Sequence, residues 1–268
     1  MEKNTIFQGK SGLFKRERAL AAARAILSPK CLDTHPDFLL VEPISGKIPV
    51  SDAGKIAEFL SYATSEADRK VVVIDKCHMA TTEFLQAILK LLEDYSQKAV
   101  FLLTTEEPLM PTIHSRCNTI SVKEWSMERM VAWITEQNLP LDSVAVMLSE
   151  RRPGLYRDLI KDKEFLTKAK ELKENLLKKP NMVVPALGAF EEGYYESERK
   201  EKEFLIIGFI EKIYSEHLLD CKVLGIDSML DAVDLCSDER GYMKSRAYGK
   251  VENNRFYRRL HTILCENG

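Results

Sequence analysis

Short, strongly apolar runs alternate with longer segments of helical periodicity over the first part of the chain. The clearest run is Val-Val-Val-Ile at 71–74, and Ala99–Leu103 is a second. Such uninterrupted apolar runs are typical of strands that are buried on both faces of a parallel sheet. Between them, residues 84–92 carry apolar side chains at the spacing of one helix face. This alternation predicts a three-layer α/β domain with a parallel sheet.

The strand pattern stops after Val122, and only helical periodicity follows. Met130, Val131 and Ile134 have the spacing of one face of an amphipathic helix. The heavily charged stretch 161–179 predicts a long, solvent-exposed helix, and 204–219 predicts a markedly apolar one. The sequence therefore predicts an α/β domain up to Val122 and an all-helical remainder.

Composition and charge favour a water-soluble protein without a general affinity for nucleic acid. Apolar residues make up 45% of the 268-residue chain and charged residues 30%, the net charge is −2 and the pI is about 6.3. A local basic patch could still contact phosphate. No run approaches the roughly 18 apolar residues of a membrane span, and the first residues lack the apolar core of a signal peptide. A cytoplasmic location is therefore expected.

The cysteine pattern does not indicate a metal site. Six cysteines are present, at positions 31, 77, 117, 221, 236 and 265. None belongs to a CxxC pair or has a histidine at ligand spacing, so we expect reduced thiols and no bound zinc. Cys77 and His78 are adjacent, but adjacent side chains point in different directions, which disfavours a catalytic pair.

A nearly complete phosphate-binding loop lies where the first predicted strand passes into a helix. Such loops have the pattern G-x-x-x-x-G-K-[ST]. Gly9 and Lys15 fill two of its positions, but Phe14 replaces the second glycine and Arg16 replaces the hydroxyl residue. A benzyl group hinders close wrapping of phosphate by backbone amides, and a guanidinium cannot bind magnesium. We therefore predict a degenerate nucleotide site.

The second half of a phosphate-loop ATPase site is incomplete as well. The apolar strand at 71–74 ends in Asp75, which either holds a magnesium ion or only ends the strand. Lys76 follows where an acidic residue usually positions the attacking water. An ammonium group has no acceptor and cannot act as that base. Two defects in one site suggest a fold that has lost its hydrolytic chemistry.

The segment 111–117, which ends in Ser-Arg-Cys, resembles the signature of clamp-loader AAA+ subunits. The resemblance extends to the helix 86–93, which is similar to the family's NALLKxLEE helix, and to residues 35–38 at the entry of the second strand. Thr104 and Thr105 lie where the family has its sensor-1 polar residue. Similarity is continuous over about residues 5–122 and weaker to about 160.

Within this family, the combination of a decayed nucleotide site and a retained Ser-Arg-Cys motif resembles the delta-prime class. The motor subunits, gamma and tau, have an intact loop, and delta generally lacks the motif. The resemblance implies a non-hydrolysing subunit that binds gamma/tau and delta and acts indirectly on the sliding clamp and primer–template DNA, without a membrane. It implies no cofactor of its own, since ATP and magnesium belong to the neighbouring subunit.

The resemblance also implies roles for particular residues. Arg116 is expected to act in trans as an arginine finger, with Ser115 and Cys117 supporting it. The implied domains are an AAA+ domain with a degenerate site (1–122), a helical lid (123–162) that carries Arg157 as a candidate sensor, and an all-α collar for oligomerisation (163–268).

Two alternatives fit the same residues. The chain could be a divergent ATP-hydrolysing motor subunit in which Lys15 and Asp75 suffice. It could also be an AAA+-derived assembly module of another complex. ATP binding by the isolated chain distinguishes the first alternative, and co-purification with a motor subunit and delta distinguishes the second.

Overall fold

A five-stranded parallel sheet forms the centre of the first part of the chain. The computed structural model describes residues 3–28, 32–178, 202 and 205–213. The strands are β1 (Thr5–Gln8), β2 (Phe38–Val41), β3 (Lys70–Ile74), β4 (Ala99–Thr105) and β5 (Asn118–Ser121). Their spatial order is β2-β3-β4-β1-β5, and every neighbouring pair is parallel.

Helices connect the strands and then continue alone. They are α1 (Lys15–Leu27), α2 (Val50–Ser61), α3 (Thr82–Asp94), α4 (Pro111–His114), α5 (Met127–Glu136), α6 (Ser143–Leu148), α7 (Pro153–Lys161) and α8 (Lys163–Lys178). Thr81 caps α3, because its hydroxyl accepts a hydrogen bond from the N–H of Phe84 at 3.2 Å. Residues 205–213 are also helical.

The central strands are buried on both faces, as the apolar runs predict. Val72 and Ile74 of β3 belong to a core shared with α2 and α3, whereas Val71 and Val73 belong to a second core against α1. Successive side chains of a strand point to opposite faces, so one uninterrupted run supplies both cores. The prediction of a three-layer α/β domain with a parallel sheet is confirmed.

A buried carboxylate holds the loop that leads into β3. Asp37 is 1% exposed, and its two oxygens accept hydrogen bonds from the N–H groups of Ser65, Glu66 and Ala67 at 2.8–3.1 Å. Burial opposes the charge, but these donors and the nearby His35 outweigh it, and the pKa of Asp37 lies below its ordinary value. The His-Pro-Asp-Phe segment at 35–38 thus has a structural function.

The contacts within the chain define two compact units. The first contains Met1–Trp125 together with Arg152–Leu155, and the second contains Ser126–Arg151 and Tyr156–Gly268. The predicted domain boundaries at 122 and 162 stay predictions. Most of the predicted collar at 163–268 lies outside the described residues.

The described helices of the second unit differ from the predicted pattern in one respect. Phe165, Ala169 and Leu172 of α8 are buried, so the charged stretch predicted as a long, solvent-exposed helix also has a buried apolar face. Asp142 caps α6 by accepting hydrogen bonds from Val144 and Ala145. Across the described ranges, no helix combines the length and apolar character needed to cross a bilayer.

Candidate functional site

The phosphate-loop segment connects β1 to α1 at the carboxyl edge of the sheet. The N–H of Gly9 donates to the carbonyl of Thr105 at 3.1 Å. A Cβ atom on Gly9 would lie 2.2 Å from the carbonyl oxygen of Val122. This close approach of two backbone segments requires glycine whether or not the loop binds a phosphate.

Gly12, at a variable position of the loop pattern, packs against the segment Arg152–Leu155 of the same unit. Gly12 has a φ of +78°, and a Cβ atom there would lie 2.8 Å from the backbone nitrogen of Leu155. The N–H of Gly154 donates to the carbonyl of Gly12 at 2.8 Å, and Nη1 of Arg152 donates to the carbonyl of Ser11 at 3.3 Å. Protein groups therefore satisfy two carbonyls of the loop.

The two residues that depart from the phosphate-loop pattern both have protein partners. Phe14 adopts the left-handed conformation with φ 56°, and its ring meets Trp125 edge-on with the centroids 6.1 Å apart. Nη2 of Arg16 lies 2.7 Å from Oε1 of Glu42. Both substitutions are thus integrated into the packing of the domain rather than directed at a shared ligand.

Lys15 is buried within the loop that its side chain would serve in an ATPase. Only 8% of it is exposed, and Nζ donates to the carbonyl of Lys10 at 2.6 Å. Burial lowers the pKa of Lys15, although the carboxylates of Glu106, 4.0 Å from Nζ, and of Asp75 oppose this change.

Asp75 is hydrogen-bonded to the neighbouring strand β4. Its carboxylate accepts a hydrogen bond from the hydroxyl of Thr104. The oxygen of the same hydroxyl accepts a hydrogen bond from the backbone N–H of Lys76 at 2.8 Å. Thr104 and Asp75 are both buried. The structure thus brings Gly9, Lys15, Asp75 and the predicted sensor-1 threonine together at one edge.

The adjacent Cys77 and His78 do not form a nucleophilic pair. Burial raises the pKa of the Cys77 thiol far above its ordinary value, so it stays protonated. Nδ1 of His78 accepts the N–H of Glu106 at 3.2 Å, and burial lowers the pKa of this histidine. Among the described residues, no group of three or more metal-binding side chains has the arrangement of a metal site.

Arg116 lies at the opposite edge of the sheet, on the surface. Its side chain is 36% exposed. It lies two residues before Asn118, where β5 begins. Asn118 is aligned with Thr5, the first residue of β1. Gly9 follows the last residue of β1. Four strand residues, about 13 Å, therefore separate the edge of Arg116 from that of the phosphate loop.

Arg116 is held by three acceptors of its own chain. Nε donates to Oε1 of Glu93 at 2.7 Å, and Nη2 donates to the same oxygen. Nη1 donates to the carbonyl of Thr112 at 2.8 Å and to Oγ of Ser115 at 3.1 Å. The guanidinium is thus oriented by α3 and by the short helix α4.

Ser115 and Cys117, on either side of Arg116, have different contacts. The hydroxyl of Ser115 donates to the carbonyl of Thr112 at 2.9 Å and accepts from Arg116. Cys117 packs partly against the core, and burial raises the pKa of its thiol to about 12, despite the nearby Arg116. Ser115 therefore fixes the guanidinium, whereas Cys117 anchors the turn.

Sequence reasoning missed two residues of these sites. Arg152 is one of them, and its Nη1 donates to the carbonyl of Ser11 in the phosphate loop. Arg157, the candidate sensor, belongs to the second unit, where its Nε lies 3.8 Å from Oδ1 of Asp158, and its role stays a prediction. Glu93 was noted only as part of a helix motif. No local signal identifies it, because its partner Arg116 is 23 residues further along the chain.

Comparisons with known proteins find subunits of DNA polymerase III. The family described as "DNA polymerase III, delta subunit" matches residues 1–126. The DNA polymerase III subunit delta' of Pseudomonas aeruginosa is 34% identical over 88 residues, 31% of this chain and 27% of that protein. Its counterpart from Escherichia coli is 30% identical over 128 residues, 45% of this chain and 38% of that protein. The matches thus span less than two fifths of these relatives.

Two further similar proteins are a tau/gamma subunit and a protein of known structure. The DNA polymerase III subunit tau/gamma of Haemophilus influenzae is 31% identical over 129 residues, 46% of this chain and 19% of that protein. A DNA polymerase III gamma subunit-related protein of Thermotoga maritima superposes with a TM-score of 0.53 at 19% identity, covering 97% of this chain and 93% of that one. At this identity the similarity concerns the α/β fold alone.

Proposed function

We propose that this chain is a delta-prime-like clamp-loader subunit and the non-hydrolysing partner of a motor subunit. The similarity of its first 126 residues to DNA polymerase III delta and delta' sequences supports the proposal. In this role it presents Arg116 to the ATP of that neighbour. The observation that carries the proposal is the position of Arg116. It is exposed at the amino edge of the sheet, whereas the chain's own phosphate loop is at the carboxyl edge.

A finger in this position can act only on a neighbour's nucleotide. The planar guanidinium keeps its positive charge and can stabilise the negative charge that develops on a γ-phosphate during transfer. The neighbouring subunit supplies the ATP, its magnesium ion and the residue that orients water. Ser115 holds the guanidinium, and Cys117 holds the turn that carries it.

The degenerate loop supports the absence of hydrolysis by this chain. Lys76 supplies an ammonium group where a carboxylate base is needed, and its own N–H donates to Thr104. Gly12 lies against the backbone of Gly154, so phosphate binding in the usual manner would require this contact to open. Lys15 donates instead to its own loop.

The proposed partners follow from the relatives' names. They are the tau/gamma motor subunits and the delta subunit of a DNA polymerase III clamp loader. The sliding clamp and primer–template DNA would be reached through the assembled complex. The collar at 163–268 is proposed as the oligomerisation region.

A divergent ATP-hydrolysing motor subunit is the second candidate. The match to a tau/gamma subunit and the retention of Lys15 and Asp75 at one edge favour it. Calorimetric titration of the purified chain with magnesium-ATP separates the two functions. We expect no binding in the micromolar range, and micromolar binding with slow turnover would replace our proposal with the motor function.

Restoring the phosphate-loop residues alone is expected not to restore hydrolysis. The double variant Phe14→Gly, Arg16→Thr regains the usual loop sequence but keeps Lys76, so water still lacks a carboxylate base. Phosphate release by the isolated variant should stay at the level of the parent chain. ATP turnover above that level would contradict the assignment of Lys76 as a disabling residue. A third change, Lys76→Glu, provides the comparison in which both halves are repaired.

A further inference from the structure

The side chain of Glu93 contacts the guanidinium of Arg116. Glu93 is the penultimate residue of α3, and Arg116 lies just beyond α4. One carboxylate oxygen, Oε1, accepts from both Nε and Nη2 of Arg116. It therefore fixes one edge of the planar group, in addition to the Thr112 carbonyl and Ser115 hydroxyl that fix the other.

The contacts leave one donor of Arg116 directed away from these acceptors. A guanidinium has five N–H donors. Nε, one N–H of Nη2 and both N–H groups of Nη1 contact described residues of the chain. The second N–H of Nη2 is the donor that can reach an oxygen from outside. Its direction depends on the plane that Glu93 imposes.

We propose that Glu93 is a positioning residue for the trans action of Arg116. The inference depends on the proposed function, because it concerns the same finger. Glu93 lies on a surface of the chain and contacts the guanidinium rather than any phosphate. It limits the rotation of the long arginine side chain, so that less conformational freedom is lost when the neighbour's γ-phosphate is engaged.

The expected effect of removing Glu93 is modest and specific. An ion pair between two partly exposed groups contributes little free energy, and converting that free energy to a rate gives a change of about two- to fivefold. Glu93→Ala in the reconstituted complex should therefore lower kcat for ATP by about that factor. KM should stay unchanged, because the neighbour's loop binds the nucleotide. Glu93→Gln, which keeps an oxygen acceptor, should recover part of the loss.

Asp94→Ala is the matched control, since it removes the next acidic residue of the same helix, which is also exposed. It should leave kcat at the parent level. An equal loss in Asp94→Ala and Glu93→Ala would mean that helix charge, not the contact, matters. Unchanged or faster turnover in Glu93→Ala would overturn the positioning role.

A second measurement uses the full chain without its partners. The Nε–H signal of Arg116 in ¹⁵N NMR, assigned by its loss in Arg116→Lys, should exchange slowly with water in the parent chain. It should exchange faster in Glu93→Ala, and equal exchange rates would overturn the contact itself. Unchanged turnover in Arg116→Ala would contradict the proposed function of Arg116 itself. Reduced turnover in Arg116→Ala together with unchanged turnover in Glu93→Ala would contradict only the positioning role of Glu93.

Discussion

Arg116→Ala is expected to lower ATP hydrolysis at the neighbouring subunit's site by about 10³-fold or more, the range measured for arginine fingers in other NTPases. Alanine removes the only part of this chain that we assign to the reacting phosphate. The side chain is on the surface and contacts exposed residues of α3 and α4, so the loss should leave folding and assembly intact. Single-turnover phosphate release by the reconstituted clamp loader measures the effect.

Two further variants make this result specific. Arg116→Lys keeps the charge but loses the planar fork of donors, so we expect it to stay well below the parent rate. Arg24→Ala removes an exposed arginine from the last turn of α1 and should leave the rate unchanged. Parent-level hydrolysis in a complex that contains Arg116→Ala would contradict the assignment of Arg116 as an arginine finger. Reduced hydrolysis with Arg24→Ala would point to a general effect of charge.

Asp37→Ala is expected to destabilise the first unit by about 3 kcal/mol, because three backbone donors lose a charged acceptor. The N–H groups of Ser65, Glu66 and Ala67 all donate to this carboxylate, and Asp37 is 1% exposed. Water can reach part of the loop at 62–69 after the change, which keeps the loss below the sum of three bonds. Urea unfolding of the full chain measures the free energy.

The effect of Asp37 should also depend on pH. Its pKa in the folded protein lies below the ordinary value, which is about 3.9 in an unfolded chain. Its contribution is therefore fully present above about pH 4 and is lost as the pH falls through the lower, folded value. The difference in unfolding free energy between the parent and Asp37→Asn should thus shrink in acid.

An exposed aspartate provides the control for both measurements. Asp33→Ala removes a carboxylate four residues away that lies on the surface, and it should change the unfolding free energy by less than about 0.5 kcal/mol. A difference between parent and Asp37→Asn that stays constant from neutral pH into acid would contradict the lowered pKa. A negligible cost of Asp37→Ala at neutral pH would contradict the structural role of the segment 35–38.

Much of the fold was decided by local sequence. The apolar run at 71–74 has no polar position to face water, so it must be buried on both sides, and a parallel sheet between two helix layers is the structure that provides this. Thr81 stands directly before the apolar helix α3, and its hydroxyl caps that helix. The departures from an ATPase site could also be read from the sequence, since Phe14, Arg16 and Lys76 each stand where that chemistry requires a different residue.

The sites depended on contacts that no local pattern encodes. Glu93 of α3 and Arg116, just beyond α4, are 23 residues apart, and Arg152 reaches Ser11 across 141 residues. The side of the sheet on which Arg116 lies follows from the register of β5 against β1. Sequence by itself determined which residues could carry charge and phosphate chemistry. Only the packing of parallel strands decided that the guanidinium and the phosphate loop lie at opposite edges, because strand direction fixes where each connecting segment emerges.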